Sequence, residues 1–269
     1  GATGGAGGAV ILDTNTGSIT LHDTIINTSG GTSSGTAGAG GDITISDALN
    51  IDTDAVTLNT GATAGAVTIS STIDGGTDLD ITSGTGNVTV SGVVGGNTAL
   101  TTLDINASSG DGDISVNNIG AGSAGVTGLT RLGQSTTGAL STGTVLNFGG
   151  GFTLGGNYSG STRSFDTNGP VTITGNITTD GNFSIDSTGN AITIGGTITG
   201  TNTTDTLVLT DGSGGSESST ISIGVAISPF KSVTLTGDNG VSLGGNITTN
   251  NVADNDVDIN GPVTLTAAT

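Results

Sequence analysis

The sequence contains no cysteine, methionine or tryptophan, and aromatic residues make up only 2% of its 269 positions. Without cysteine, the chain can form neither a disulfide framework nor a thiolate metal site. Basic residues are nearly as scarce, because Arg131, Arg163 and Lys231 stand against 22 acidic residues, for a formal net charge of −19. A chain this acidic repels nucleic-acid phosphates and anionic membrane surfaces, so we expect neither as a partner.

Long apolar runs are missing as well. No stretch approaches the roughly 18 consecutive apolar residues of a membrane-spanning helix, and no basic and apolar signal segment opens the chain. We therefore expect no membrane insertion in this segment. Gly, Thr, Asn and β-branched residues dominate without a 3.6-residue apolar stripe, which disfavours helices. The composition predicts an all-β fold.

The sequence does contain a recurring phrase, an apolar–Thr/Ser–apolar triplet followed by Gly- and Asn-rich turns. Period-two alternation places the outer residues of each triplet inside the fold and the middle residue outside. Self-similarity at 20 to 30 residues predicts a solenoid. We predict that the triplets stack as a first column of strands, beginning at Val67, Val88, Val171, Ile192, Ile221, Val241 and Val263.

Two further columns accompany the first, so each unit has three strands and forms a triangular coil. The pattern predicts a parallel β-helix (β-solenoid) of roughly ten coils, each of about 20–30 residues, with a right-handed turn by analogy with crossover connections. Gly and Asn at the corners supply the turn conformations, and we expect corner Asn side chains to stack as an internal amide ladder. The second column is predicted at Ile73, Val93, Ile177, Ile198, Ile227 and Ile247, and the third begins at Leu79, Leu103, Phe183, Leu207, Val233 and Val257.

We predict that residues 1–269 form one β-solenoid segment, less regular at 28–41 and 121–143. The chain has no methionine, and the repeat phrase starts again at Val263 close to the last residue. We therefore expect a segment of a longer repeat protein.

One acidic cluster is a candidate metal site. Asp254, Asp256 and Asp258 alternate along a predicted strand and so share one face. Carboxylate oxygens are the ligands that Ca²⁺ prefers. We predict Ca²⁺ as the one candidate cofactor, with a solvated acidic face as the alternative.

Catalytic residues are not predicted. The Gly-rich segment 120–125 matches the spacing of a dinucleotide-binding loop, but the residues that follow are poor helix formers. His22, Tyr158 and the three basic residues are too dispersed for the groove of a sugar-cleaving enzyme. We therefore predict a protein without enzymatic activity.

The segment 65–105 resembles the repeat phrase of giant bacterial β-strand-repeat surface proteins, and 170–265 is of the same type. The chain is also similar to the filamentous-haemagglutinin class of secreted adhesins. This resemblance implies a right-handed β-helical shaft on the outside of a Gram-negative cell, used in adhesion, matrix or filament formation. We further expect self-association, end to end or laterally, because the sequence shows no cap to cover the unpaired backbone groups at the ends of a solenoid. Cell-surface or matrix glycans are the other expected partners. The resemblance carries no binding residues over.

The sequence thus favours a structural and adhesive extracellular fibre or filament component. Two alternatives stay open. One is a carbohydrate-active β-helix enzyme. The other is an ice-binding solenoid, because triplets such as Thr197-Ile198-Thr199 direct Thr outward, although replacements such as Gly92-Val93-Val94 interrupt the pattern.

Overall fold

The computed structural model describes residues 1–106, 112–133, 139–143, 145–150, 152–154, 157–160, 163–167, 169–212, 219–250, 253 and 255–266. Within these ranges the chain forms strands and no helix, and the strands pair in parallel. The fold is an all-β parallel β-solenoid, as the repeat pattern predicts. The right-handed turn stays a prediction.

Three parallel sheets run along the solenoid, and we number strands in chain order. Sheet 1 has eleven strands, which are β1 (Val10–Leu12), β4 (Ile43–Ile45), β7 (Val67–Ile69), β10 (Val88–Val90), β12 (Ile114–Val116), β14 (Ala139–Thr142), β17 (Asn157–Gly160), β20 (Ile177–Thr179), β23 (Ile198–Gly200), β26 (Ile227–Phe230) and β29 (Ile247–Thr249).

Sheet 2 has two parts. Its strands are β2 (Ser18–Leu21), β5 (Ala48–Ile51) and β8 (Ile73–Gly75), then β15 (Val145–Phe148), β18 (Arg163–Thr167), β21 (Phe183–Asp186), β24 (Thr206–Thr210), β27 (Ser232–Thr236) and β30 (Asp256–Asn260). Single bridges at Val94 and Ile119 connect the two parts, because Ile73 pairs with Val94, Val94 with Ile119, and Ile119 with Leu146.

Sheet 3 again has eleven strands. They are β3 (Ile25–Asn27), β6 (Val56–Asn59), β9 (Leu79–Thr82), β11 (Leu103–Ile105), β13 (Thr130–Leu132), β16 (Phe152–Leu154), β19 (Val171–Ile173), β22 (Ile192–Ile194), β25 (Ile221–Ile223), β28 (Val241–Leu243) and β31 (Val263–Leu265). The coil count thus differs slightly from the roughly ten predicted from the sequence.

The alternation predicted from the triplets is confirmed. Val67 and Ile69 of β7 are fully buried while Thr68 between them is partly exposed, and β22 repeats the pattern with Ile192, Thr193 and Ile194. The inward residues form one continuous apolar core of Val, Ile, Leu and Phe inside the coils. Strand propensity and burial agree at these triplets, but in the last coil Val257, Val263 and Leu265 are exposed.

The predicted alignment of the columns is wrong between the two halves of the chain. Val67 and Val88 lie in sheet 1, whereas Val171 lies in sheet 3. The third-column residue Leu103 instead leads through Thr130 and Phe152 to Val171. Each predicted column therefore lies in one sheet in the first half of the chain and in a different sheet in the second half. All three sheets use the same alternating triplet, so the triplet alone does not identify a face.

A second correction concerns one residue. Val93 was predicted to occupy the second column, but Val94 is the fully buried residue that pairs with Ile73, and Val93 is partly exposed. Val93 and Val94 are both β-branched and apolar, so residue type does not distinguish them. What distinguishes the two valines is their position relative to the corner of the coil.

Buried hydroxyl groups close several corners. The Thr60 hydroxyl donates to the Gly65 carbonyl at 2.7 Å, and the Ser83 hydroxyl donates to the Gly86 carbonyl at 2.6 Å. Ser187 makes the same bond to the Asn190 carbonyl at 2.5 Å. Gly65 has φ +83°, and a Cβ atom there would approach the Thr60 Cβ to 2.7 Å. These corners therefore need an inward hydroxyl and, at Gly65, a residue without a side chain.

We predict that Thr60→Val lowers the free energy of unfolding by about 1–2 kcal/mol, because the buried Gly65 carbonyl loses its donor while the packed volume stays similar. Chemical denaturation measures the change. Thr68→Val on the outer face is the matched control and should change stability little. Equal effects of the two substitutions would contradict a role for the corner hydroxyl.

The predicted internal amide ladder is wrong. Asn106 is buried, but Asn87 and Asn176 lie at exposed corners. Their side-chain oxygens accept backbone N–H groups from the next coil, Asn87 from Asp113 at 3.0 Å and Asn176 from Thr197 at 2.9 Å. An amide at a corner is solvated and still caps a free donor. The buried Asn106 instead bonds the backbone N–H and the hydroxyl of Ser83.

Candidate functional surface

The outer face of sheet 1 presents two neighbouring files of hydroxyl groups. The first file consists of the middle residues of the strands, which the strand register aligns. The second file consists of the residue that follows each strand. The bonds from Ser70 N–H to the Ile45 carbonyl and from Ser91 N–H to the Ile69 carbonyl align this second file. Successive residues along a file are one strand spacing apart, about 4.8 Å. The first file is Thr44, Thr68, Thr89, Ser115 and Ser141, and the second is Ser46, Ser70 and Ser91, continued by Asn117.

A shallow depression of about 240 Å³ lies on this face. Its lining includes the side chains of Thr89, Ser91, Ser115 and Asn117, together with Gly143. The Asn117 amide donates to the Ser91 carbonyl at 2.6 Å across two coils. The depression is thus uncharged and lined by hydroxyl and amide groups.

The outer face of sheet 3 changes character along the axis. Its second half carries one file of hydroxyl groups in strand register, made of Thr153, Thr172, Thr193, Ser222, Ser242 and Thr264. Its first half carries charged groups in the same file, because Asp80 pairs with Asp104 and Asp104 with Arg131.

The charged group on sheet 3, formed by Asp80, Asp104 and Arg131, contains one attractive interaction and one repulsive one. Arg131 Nη1 donates to Asp104 Oδ2 at 2.6 Å. The other oxygen of this carboxylate, Oδ1, is buried and has no hydrogen-bond partner. Partial desolvation, and then the negative charge of Asp104, raise the pKa of Asp80, while Thr82 and Arg131 act in the opposite direction.

The predicted third column already placed Asp80 next to Asp104, but it missed Arg131 because the column alignment was wrong beyond this point. The signal was present as Leu79-Asp80-Ile81 and Leu103-Asp104-Ile105, followed by Thr130-Arg131-Leu132. With the observed register, the middle residues of these three triplets form one file. With the predicted register, Arg131 had no assigned neighbour.

The predicted Ca²⁺ ligands are only partly described by the structure. Asp254 lies outside the described residues. Asp256 and Asp258 are exposed on β30, opposite Ser232 and Thr234 of the preceding coil. The Asn260 amide donates to Asp258 Oδ2 at 3.2 Å. Across the described ranges, no three His, Cys, Asp or Glu side chains come together in a way that could bind a metal ion.

We predict that Ca²⁺ raises the melting temperature of the chain above its value in EDTA at matched ionic strength, because a divalent cation relieves repulsion among repeated carboxylates. Asp258→Asn should reduce the difference, whereas Asp180→Asn, which removes an equal charge elsewhere, should not. Identical midpoints in Ca²⁺ and EDTA would contradict a specific site.

The other residues considered for catalysis lie apart. His22 is exposed at a corner, where its Nδ1 contacts Asp52 Oδ1 of the next coil. Tyr158 is buried in the core near Phe165 and Phe183. The Gly-rich segment 120–125 forms a corner before the bridge residue Val126, and the structure describes no helix after it. The segment is therefore a solenoid turn.

Comparisons with protein-family models, with curated proteins and with solved structures find no match for this chain. Among the described residues, no helix is long and apolar enough to span a membrane. What the findings establish is therefore a β-solenoid, whose length and regular surface are compatible with a structural or adhesive role.

Proposed function

We propose that this chain is part of the shaft of a structural and adhesive extracellular fibre or filament on a bacterial surface or in its matrix. One observation carries the proposal. Two sheets of eleven parallel strands run along one uninterrupted apolar core in the described part of the chain. Such a fold grows by adding coils and keeps its cross-section, which suits a shaft.

The surface supports the same function. The outer files are mostly Thr and Ser, which keep a strand face soluble without needing partners. The basic residues Arg131 and Lys231 and the single histidine His22 are distributed over different coils. We infer that the chain works by its shape and surface and not by catalysis.

Imaging tests the shaft directly. We expect the purified chain to appear in negative stain as a straight rod on the order of 50 Å long, since eleven strands are spaced about 4.8 Å apart. Oriented samples should diffract at about 4.8 Å along the rod axis. Native material should show longer filaments joined end to end or laterally. Globular particles without that reflection would contradict the proposal.

Adhesion calls for a surface that binds a partner, and the depression at Ser91 and Asn117 is our candidate for a glycan. Hydroxyl and amide groups can donate to and accept from sugar hydroxyls. A glycan array with the intact chain tests this, with Ser115→Val as the variant that removes a lining hydroxyl. Equal glycan binding by both proteins would place adhesion elsewhere.

A second candidate function is ice binding, favoured by the double hydroxyl files on sheet 1. Thr44 and Ser46, Thr68 and Ser70, and Thr89 and Ser91 form three aligned pairs in successive coils. Ice-growth microscopy decides between the functions. Shaped ice crystals with the wild-type chain, and unshaped crystals with Thr68→Lys, would support ice binding over the fibre alone.

A further inference from the structure

Asp80 and Asp104 face each other across neighbouring coils of sheet 3. They occupy register-paired positions in β9 and β11, so their backbones are one strand spacing apart, about 4.8 Å. Like charges in directly opposed positions destabilise a sheet. A chain that keeps two carboxyl groups there needs something between them that offsets the repulsion.

The hydrogen bonds of Asp104 show that the repulsion between the two carboxyl groups is only partly offset. Arg131 satisfies Asp104 Oδ2 from the next coil, and Asp104 Oδ1 remains buried without a partner. A buried polar atom without a partner is costly and calls for an explanation. The missing partner must be a donor, because a carboxylate oxygen only accepts.

We propose that Asp80 and Asp104 share one proton, so that these two coils are joined by a carboxyl–carboxylate hydrogen bond that forms as the solution becomes acidic. The proton comes from solvent and binds the Asp80 carboxylate. The resulting O–H donates to Asp104 Oδ1, while Arg131 stays on Oδ2. The O–H bond on Asp80 forms as an O–H bond of hydronium breaks and leaves water, and no other bond is made or broken.

The surroundings of Asp80 support this assignment of the proton. On one side β6 presents Thr57, which is uncharged, and on the other β11 presents Asp104. Asp78 precedes β9, but its Oδ1 already accepts the Thr102 hydroxyl at 2.8 Å. Arg131 lies two coils from Asp80 and contacts Asp104 directly. Asp80 is therefore the carboxyl group with the weaker cationic support.

The direction of the pH dependence follows from the raised pKa of Asp80. Its ordinary value is 3.8, and desolvation together with Asp104 raises it in the folded chain. The folded state then binds the proton more tightly than the unfolded state. The contribution of Asp80 to stability is fully present below its ordinary pKa and is lost as the pH rises through the raised value.

Carbon NMR of the full chain, labelled at the aspartate carboxyl carbons, tests the shared proton. Signals are assigned by their loss in Asp80→Asn and Asp104→Asn, and the pH is lowered from 7 to 3. We expect Asp80 to titrate above its ordinary pKa of 3.8, and Asp104→Asn to lower the titration point of Asp80. Titration of Asp80 at or below 3.8 in the wild-type chain would overturn the proposal.

Thermal melts give an independent test. The Asp80→Asn side chain carries a permanent donor for Asp104 Oδ1, so we expect its midpoint at pH 7 to exceed that of the wild type by about 2 °C. Asp180→Asn controls for the loss of one negative charge and should not reproduce the gain. A lower midpoint for Asp80→Asn would overturn the proposal. A Ca²⁺-dependent gain in the wild type that Asp80→Asn abolishes would also overturn it, because a cation would then be the bridging group.

Discussion

Replacing Ile194 with aspartate is expected to lower the local free energy of unfolding by on the order of 4 kcal/mol, because it places an unpaired charge in the apolar core. Ile194 is fully buried and stacks between Ile173 and Ile223 in sheet 3. Its neighbours in the sheet, Ile173 and Ile223, are apolar and offer the new carboxylate no partner. Its folded form must either bury a charge or take up a proton.

The outward neighbour provides the control. Thr193→Asp introduces the same charge on the same strand, but Thr193 is exposed. We expect it to change stability by less than about 1 kcal/mol. Hydrogen exchange measured coil by coil should show that Ile194→Asp opens β19, β22 and β25 before distant strands, because repeat stability is dominated by nearest neighbours. Uniform loss of protection along the whole chain would contradict this picture.

The fold class could be predicted from the sequence because the residue composition and the period of the apolar pattern both indicate stacked strands. Alternating Val, Ile and Leu with Thr or Ser selects strands, and the repeat length selects stacking over a closed sandwich. Buried pairs such as Val67 and Ile69 follow directly from that pattern. Individual burial was therefore predictable without knowing which coil lies next to which.

The stacking partners were less predictable. Between Val116 and Phe152, one coil contributes only the isolated bridge at Ile119 in place of a strand. Other strands in this stretch have less regular triplets, such as Thr130-Arg131-Leu132. A shift by one sheet keeps every inward residue inside, so the hydrophobic pattern does not penalise it. Long-range register then depends on corner lengths, which the pattern of triplets does not encode.

The charged group of the candidate surface depended on that register. Asp80, Asp104 and Arg131 are separated by more than twenty residues at each step, and each is the middle residue of an ordinary triplet. The predicted third column already aligned Asp80 with Asp104, and only the observed pairing adds Arg131 to the same file. The predicted Ca²⁺ cluster, by contrast, was visible in sequence because its members are close neighbours along the chain.

The aromatic residues of the middle coils pack together inside the core. Phe165 is fully buried, with ring-centre distances of 5.2 Å to Phe152, 5.4 Å to Phe183 and 5.9 Å to Tyr158. Its ring also lies 6.3 Å from that of Phe148. Aromatic side chains are rare in this chain, so their concentration here fills the core where the triplets are least regular. Phe165 is at the centre of the cluster.

Phe165→Ala is therefore expected to cost about 3–5 kcal/mol, through lost burial and the cavity left among rings that cannot collapse onto it. Phe165→Leu keeps most of the volume and should cost about 1.5 kcal/mol. Chemical denaturation followed by the single tyrosine's fluorescence, together with hydrogen exchange in β16, β18 and β21, measures both variants. If alanine and leucine destabilise equally, the aromatic cluster is not what holds these coils together, and the strand ladders alone must support the middle of the shaft.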